Sequence, residues 1–327
     1  MYEVVIGTLP ATGMALYLFQ WNAAVVLTSC LAGCLGTEWL FNLARKKSQT
    51  IDDGSAMVTA LILGLSLPPK FPWWGALLGS VVAIGVAKML FGGLGCNIFN
   101  PAMVGRAFLM ACFGMLMTTW SIPAQEQNRL KAEAQKSGRE VAAVTAQTPL
   151  NKAKEVIKDA YNTDMPPDKK KSVFEVNADV QSLFVGTISG SLGETSALLW
   201  LVGGVFLLLR RTITYHIPLA VLGSAGIIAT LAWWMKPDVY AHPLVHLFGG
   251  GLMMGAFFIA TDPVSCPLSK LGRAIFGVGV GSLIMLIRLK GGYPEGVMYA
   301  VLLMNSMTPL LDRWTHPTPL GGHVKRY

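Results

Sequence analysis

Long apolar runs separated by short polar punctuation make up most of this chain, and they recur at the length a helix needs to cross a bilayer. A hydrocarbon core of about 30 Å takes roughly 20 apolar residues in helical form. Ten segments fit: residues 3–20, 22–43, 54–68, 73–91, 101–119, 195–209, 217–235, 243–261, 271–289 and 295–312. The expected fold is an all-α polytopic membrane protein with about ten transmembrane helices. One stretch departs from the pattern. Residues 121–182 hold ten of the 26 Lys and Arg and nine of the 18 Asp and Glu. The chain therefore divides into a first membrane part (1–120), a polar insertion (121–182) and a second membrane part (183–327). Inside the insertion, 126–140 and 150–161 have helical composition, and Pro166-Pro167 followed by Lys169-Lys170-Lys171 reads as a solvated link.

An even number of spans puts both termini on one side. That side collects Arg45, Lys46, Lys47, Arg210, Arg211, Lys270, Arg273, Arg313, Lys325 and Arg326, against chiefly Lys70, Lys236 and Lys290 on the other. The positive-inside rule makes both termini cytoplasmic and the insertion extracytoplasmic. The first apolar run lacks a basic leader and is expected to stay as the first span. Spans three to five and eight to ten share a pattern: a proline break (Leu67-Pro68-Pro69; Thr261-Asp262-Pro263), a helix running to Gly-Gly (Gly92-Gly93; Gly291-Gly292), and a restart at proline (Asn100-Pro101; Pro294-Glu295). Five spans per half is odd, so the halves would be inverted repeats with paired broken helices. The competing reading is simple reuse of Gly and Pro in membrane helices.

Composition agrees with the pattern: 53% of residues are hydrophobic and 13% charged, too apolar for an ordinary soluble domain. The formal charge of +8 leaves no basic face with interleaved aromatics, so it points to a membrane lipid surface and not to nucleic acid. Cys30, Cys34, Cys96, Cys112 and Cys266 lie in or beside apolar runs without a pairing pattern and read as structural thiols. Trp73, Trp74, Trp120, Trp233 and Trp234 stand near span ends, where aromatic belts form.

The richest local feature is Gly92-Gly93-Leu94-Gly95-Cys96-Asn97-Ile98-Phe99-Asn100-Pro101-Ala102. Glycines let a ligand approach the backbone, Pro101 suits a helix start, and each Asn offers a donor and an acceptor; the stretch reads as a seat for a planar ligand against which Cys96 or Phe99 could pack. Carboxylates are few. Glu38, Asp262 and Asp312 are candidates for ion coupling, against the alternative that they reach the headgroups; Glu295 opens span ten. Lys88 and Arg106 flank the asparagine break, either assisting an electron-rich ligand or snorkelling to the interface. His242 and His246 have i,i+4 spacing but no third ligand, so no metal site is assigned. Gly190–Ser196, with Glu194 and Thr195, is either an ordinary N-cap or a phosphate-binding helix start.

Four motifs in order, Gly92-Gly93-x-Gly-x-Asn97-x-x-Asn100-Pro-Ala, Gly193-Glu-Thr-Ser196, Ala260-Thr-Asp-Pro-Val-Ser265 and Tyr293-Pro-Glu-Gly296, resemble those of the RnfD/NqrB family of ion-translocating redox complexes. Within it the chain is more similar to the RnfD branch. The resemblance implies a ten-helix inverted repeat and two flavins, a noncovalent riboflavin and an FMN esterified through its phosphate to a threonine. It assigns Asn97 and Asn100 to riboflavin. Thr145-Ala146-Gln147-Thr148-Pro149-Leu150 is the best match to the flavin-attachment pattern, which makes Thr148 the FMN acceptor and Thr195 the runner-up.

The implied role is a membrane electron-relay subunit of an Rnf-type complex, coupling ferredoxin/NAD electron transfer to Na+ or H+ movement in the cytoplasmic membrane. Its implied partners are an RnfG-like FMN subunit and RnfA/RnfE-like membrane subunits. The rival is an inverted-repeat solute channel or secondary transporter without redox chemistry.

Overall fold

A computed structural model describes residues 1–46, 48–120, 148–161, 180–186, 190–293 and 295–315. Lys47, Thr145–Gln147, the 126–140 stretch, the Pro166–Lys171 link, Pro294 and Lys325-Arg326 lie outside the described residues. Among those described, the regular elements are helical. In chain order they are α1 (Tyr2–Phe19), α2 (Trp21–Ala44), α3 (Ser55–Leu65), α4 (Trp73–Val81, continuing in π form through Val82–Met89), α5 (Pro101–Cys112), α6 (Pro149–Tyr161), α7 (Val180–Val185), α8 (Ala197–Leu209), α9 (His216–Met235), α10 (Pro243–Phe248), α11 (Leu252–Met254, continuing in π form through Gly255–Ile259), α12 (Lys270–Lys290) and α13 (Val297–Trp314).

Four of these, α1, α2, α9 and α12, are long and apolar enough to cross a membrane, and shorter apolar helices stand at four of the six other expected spans. The chemistry at their ends explains the shortening. α3 stops just before Leu67-Pro68-Pro69, where successive prolines offer no N–H. α5 starts with Pro101 in its first turn and with the Asn100 side chain accepting from Met103 N–H at 3.3 Å.

Two expected spans are not continuous. Span five halts at Phe113 (φ −129°, ψ 42°) before a single turn, Gly114–Met117. Span eight splits at Gly249-Gly250-Gly251, with Gly250 in the left-handed region at φ 66°. Hydropathy reads straight through that glycine run, whereas the backbone does not. Arg288, from the last turn of α12, donates to the freed carbonyls of His246 (2.5 Å) and Gly249 (2.9 Å), and so supplies partners that a continuous helix would have provided internally.

The π segments are i→i−5 bonded, Leu90 N–H to Gly85 O (3.0 Å) and Gly93 N–H to Lys88 O (3.1 Å) in α4, and Ala260 N–H to Gly255 O (2.8 Å) in α11. Such turns are rare and concentrate at functional sites.

Helices approach closely where residues are small. A Cβ on Gly203 of α8 would overlap the Gly7 carbonyl of α1, and one on Gly204 would overlap Phe257 of α11. α2 packs on α3 and α4, α9 on α12, and α5 meets α13. Cys30 and Cys34 are free and buried in this core, as structural thiols are. Trp73, Trp74 and Trp234 stand exposed, whereas Trp120 is buried. Outside the main bundle, α6 and α7 form a satellite cluster in which Ala153, Val156 and Leu183 pack on Ala241 and Val245 beside α10. The helix expected at 150–161 is thus α6.

Candidate functional site

The asparagine break closes one end of a cavity of about 210 Å³ open to water centres, many times the ~10–15 Å³ one water needs by that measure. α1, α3, α4, α5, α8 and α11 all contribute to its wall. Phe257, Phe258, Ile62 and Leu207 make an apolar surface, while Asn97, Lys88, Ser55 and Asp262 bring polar groups to it. An apolar slot with a few placed polar groups is the ordinary form of a cofactor site. Both π segments end here, one delivering Lys88 and the other Phe257 and Phe258.

The two asparagines behave differently. Asn100 is used within the protein: its Oδ1 caps α5, its Nδ2 donates to Ile259 O at 3.4 Å, and its backbone N–H reaches Asn305 at 3.0 Å when that amide is turned to satisfy both ends. Asn97 is also buried, but only its Nδ2 is paired, with Phe99 O at 3.2 Å. Among the described residues its Oδ1 has no donor facing it. A ligand N–H would satisfy that atom. Cys96 is exposed, and neither Cys96 nor Phe99 belongs to the cavity wall.

Lys88 does not snorkel. Its ammonium is 2% exposed and binds Glu38 Oε1 and Oε2 at 2.8 and 2.9 Å and Ser55 Oγ at 2.6 Å. Glu38, fully buried, also accepts from Thr50 Oγ1 at 2.6 Å. A buried carboxylate with this much compensation is one half of an ion pair at the cavity wall. Asp262 accepts from Val264 N–H (3.3 Å) and Ser265 Oγ (3.0 Å) and lines the cavity; Asp312 accepts from Leu268 N–H (2.9 Å) and does not.

A second charged cluster lies just before the N-terminus of α8, whose other end reaches the cavity at Leu207, and includes Arg106, one turn beyond Ala102 on α5. Here Arg106 binds Glu295 at 2.5 Å, and Glu194 and Arg288 are buried beside them. Thr148 stands close by in the chain fold. It is buried and caps α6, its Oγ1 accepting from Asn151 N–H at 3.2 Å, and Leu150 two residues on packs against Gly249 and Gly250. On the same helix, desolvation and the neighbouring Lys158 charge pull the Lys154 ammonium down to about 8. Ser196 caps α8 by accepting from Leu199 N–H at 3.4 Å, and Thr195 is buried beside Gly186. His242 caps α10 through Nδ1.

Sequence reasoning missed Ser55, Phe257, Phe258 and Arg288. A signal existed for the last: Lys88 stands four residues before Gly92-Gly93 and Arg288 three residues before Gly291-Gly292.

The fold and cavity define a multi-pass membrane protein built around breaks in its helices. The sequence pattern of the NQR2, RnfD, RnfE family matches residues 1–321, and the chain belongs to that family. It is 39% identical over 323 residues to the D subunit of the proton-translocating ferredoxin:NAD(+) oxidoreductase complex of Clostridium ljungdahlii, covering 98% of this chain and 91% of that protein. It is 38% identical over 343 residues to the D subunit of the ion-translocating oxidoreductase complex of Stutzerimonas stutzeri, covering 99% and 92%. The subunit of the same description from Alcanivorax borkumensis is 39% identical over 324 residues, covering 98% and 92%.

Proposed function

We propose that this chain is the membrane electron-relay subunit of an ion-translocating ferredoxin:NAD oxidoreductase complex, with riboflavin in the Asn97 cavity and FMN on Thr148. The observation that carries the reading is the buried, unpartnered Asn97 Oδ1 facing an aromatic-walled cavity, in a chain whose relatives are subunits of such complexes. When bound, the flavins supply the one- and two-electron chemistry. The chain does the rest. Asn97 accepts a ring N–H, Phe257 and Phe258 exclude water from one side, and Lys88 keeps a positive charge at the wall where an electron-rich ligand sits. At Thr148, a phosphoester places an anion on the N-terminus of the 13-residue helix α6, where free N–H groups and the helix dipole favour it.

The same reading takes the chain as ten spans in two inverted halves, 1–120 and 183–327, about an extracytoplasmic insertion at 121–182, with cytoplasmic termini in the inner membrane. Three pairings support it. Lys88 near the end of α4 ties to the start of α3 at Ser55, as Arg288 near the end of α12 ties to α10 and its glycine break. α2 packs on α4 as α9 packs on α12, and the halves meet through α1 with α8 and α5 with α13. On this topology the cavity opens inward and Thr148 faces outward. RnfG-like and RnfA/RnfE-like subunits then stand at its two electron-transfer faces, and Asp262 at the cavity wall is a candidate for coupling cation binding to reduction.

Denaturing-gel fluorescence of the purified chain tests the covalent flavin. The parent band should fluoresce and Thr148→Ala should not; fluorescence retained in that variant moves the acceptor elsewhere, and a dark parent band refutes covalent attachment. A solute channel predicts a dark parent and no flavin released on denaturation.

A further inference from the structure

Glu194 and Glu295 form a pair that neither the cavity nor the proposed flavin sites use. Glu194 lies three residues before α8 and Glu295 two residues before α13. Their Oε1 atoms sit over consecutive residues of the glycine break. A Cβ on Gly251 would be 3.8 Å from Glu194 Oε1, and one on Gly250 would be 3.7 Å from Glu295 Oε1. The two carboxyl groups are within hydrogen-bonding reach of each other. Two ionised carboxylates in contact and out of water repel strongly, and such pairs resolve by sharing a proton or a cation.

The surroundings decide between those outcomes. Arg106 of α5 binds Glu295 Oε2 at 2.5 Å, and the Arg288 guanidinium of α12 comes within 3.0 Å of a Cβ placed on Gly250. The titratable groups near these arginines include His246 of α10, whose carbonyl Arg288 holds, and Tyr299 of α13, which lies in the field of Arg106 and against Tyr293. Two guanidinium charges disfavour a metal cation as a third. They also divide the pair unequally: Glu295 has an arginine bonded to it and stays anionic, whereas among the described residues the Glu194 carboxyl accepts only from the Ser191 N–H, at 3.4 Å, and its buried Oε1 meets no donor. A proton on Oε1 converts that orphaned acceptor into a donor toward Glu295.

We propose that Glu194 and Glu295 bind one proton between them at neutral pH, held on Glu194 and donated to the Glu295 carboxylate. The molecule then has a proton-binding site at the end that carries α6, under Leu150 and the glycine break. The proton comes from water and returns to it, leaving Glu194 as the carboxylate. The site does not depend on either flavin assignment.

Infrared spectroscopy of the purified full-length chain tests it, because a protonated carboxyl has a carbonyl stretch that a carboxylate lacks. The parent should show such a band at neutral pH, shifted down in D2O, and Glu194→Gln should remove it. A band unchanged by that substitution, or a parent with no band, overturns the proposal. Thermal unfolding gives a second reading. The amide introduced by Glu194→Gln can donate where the acid did, so that variant should melt near the parent, whereas Glu295→Gln strands Arg106 and should melt far lower. Equal losses in the two variants would mean that both carboxyls are ionised and equally paired, and would also overturn it.

Discussion

Breaking the Glu38–Lys88 pair should cost far more than its single ion-pair distance suggests. In Lys88→Met the Glu38 carboxylate, fully buried, loses both ammonium contacts and keeps only the Thr50 hydroxyl. In Glu38→Gln the ammonium, 2% exposed, keeps Ser55 but faces a neutral amide. Leaving one buried charge uncompensated costs about 3–5 kcal/mol, roughly a 10²–10⁴-fold change in the folding equilibrium. Removing both charges together, Glu38→Gln with Lys88→Met, should recover most of that loss, since no buried charge is then left unpaired and the introduced amide can still accept from Thr50. Denaturant unfolding in mixed micelles, followed by tryptophan fluorescence, measures all four proteins and closes the cycle. If each single variant loses less than about 1 kcal/mol, as exposed pairs do, or if the double variant simply adds the two losses, then the pair is not a buried unit.

The remaining predictions concern the asparagines and the helix crossing. Asn97→Leu should lower the stoichiometry of noncovalent flavin released on denaturation while leaving thermal stability near the parent. Asn100→Ala should instead destabilise the chain by about 1 kcal/mol through its lost cap; identical behaviour of the two variants would refute the division of roles. Gly203→Leu should separate α1 from α8, because a side chain there overlaps the Gly7 carbonyl. Reduced yield of monodisperse protein in detergent is the expected readout, with Gly223→Leu, where nothing lies within 4 Å of an added Cβ, behaving as the parent.

The positions of most helices were legible in the hydropathy pattern because each apolar run has to be long enough to cross a bilayer, and polar residues fall at its ends. What hydropathy cannot register is backbone. Phe248-Gly249-Gly250-Gly251-Leu252 is as apolar as a continuous helix, and its break became visible only with Arg288 bonded to the freed carbonyls. The asparagine motif was readable as a ligand seat, since glycines and amides have few other reasons to interrupt a membrane run. That Asn97 rather than Asn100 holds the spare acceptor was not readable, because it depends on Ile259 and Asn305, more than 150 residues away. Lys88 was open to two interpretations for the same reason: its partner Glu38 is 50 residues distant.

The π turns have a consequence for how such a chain can change over evolution. Relative to an α-helix, Val82–Met89 carries an extra residue within its hydrogen-bonded turns. Deleting one residue there would restore ordinary helix with no loss of hydropathy; because the wide turns already absorb the extra residue, the helix beyond would stay near its place, while the turn that presents Lys88 to the cavity wall and to Glu38 would be lost. Length variation in this short stretch, more than any substitution, should therefore separate homologues that keep the cavity's charge from those that have lost it.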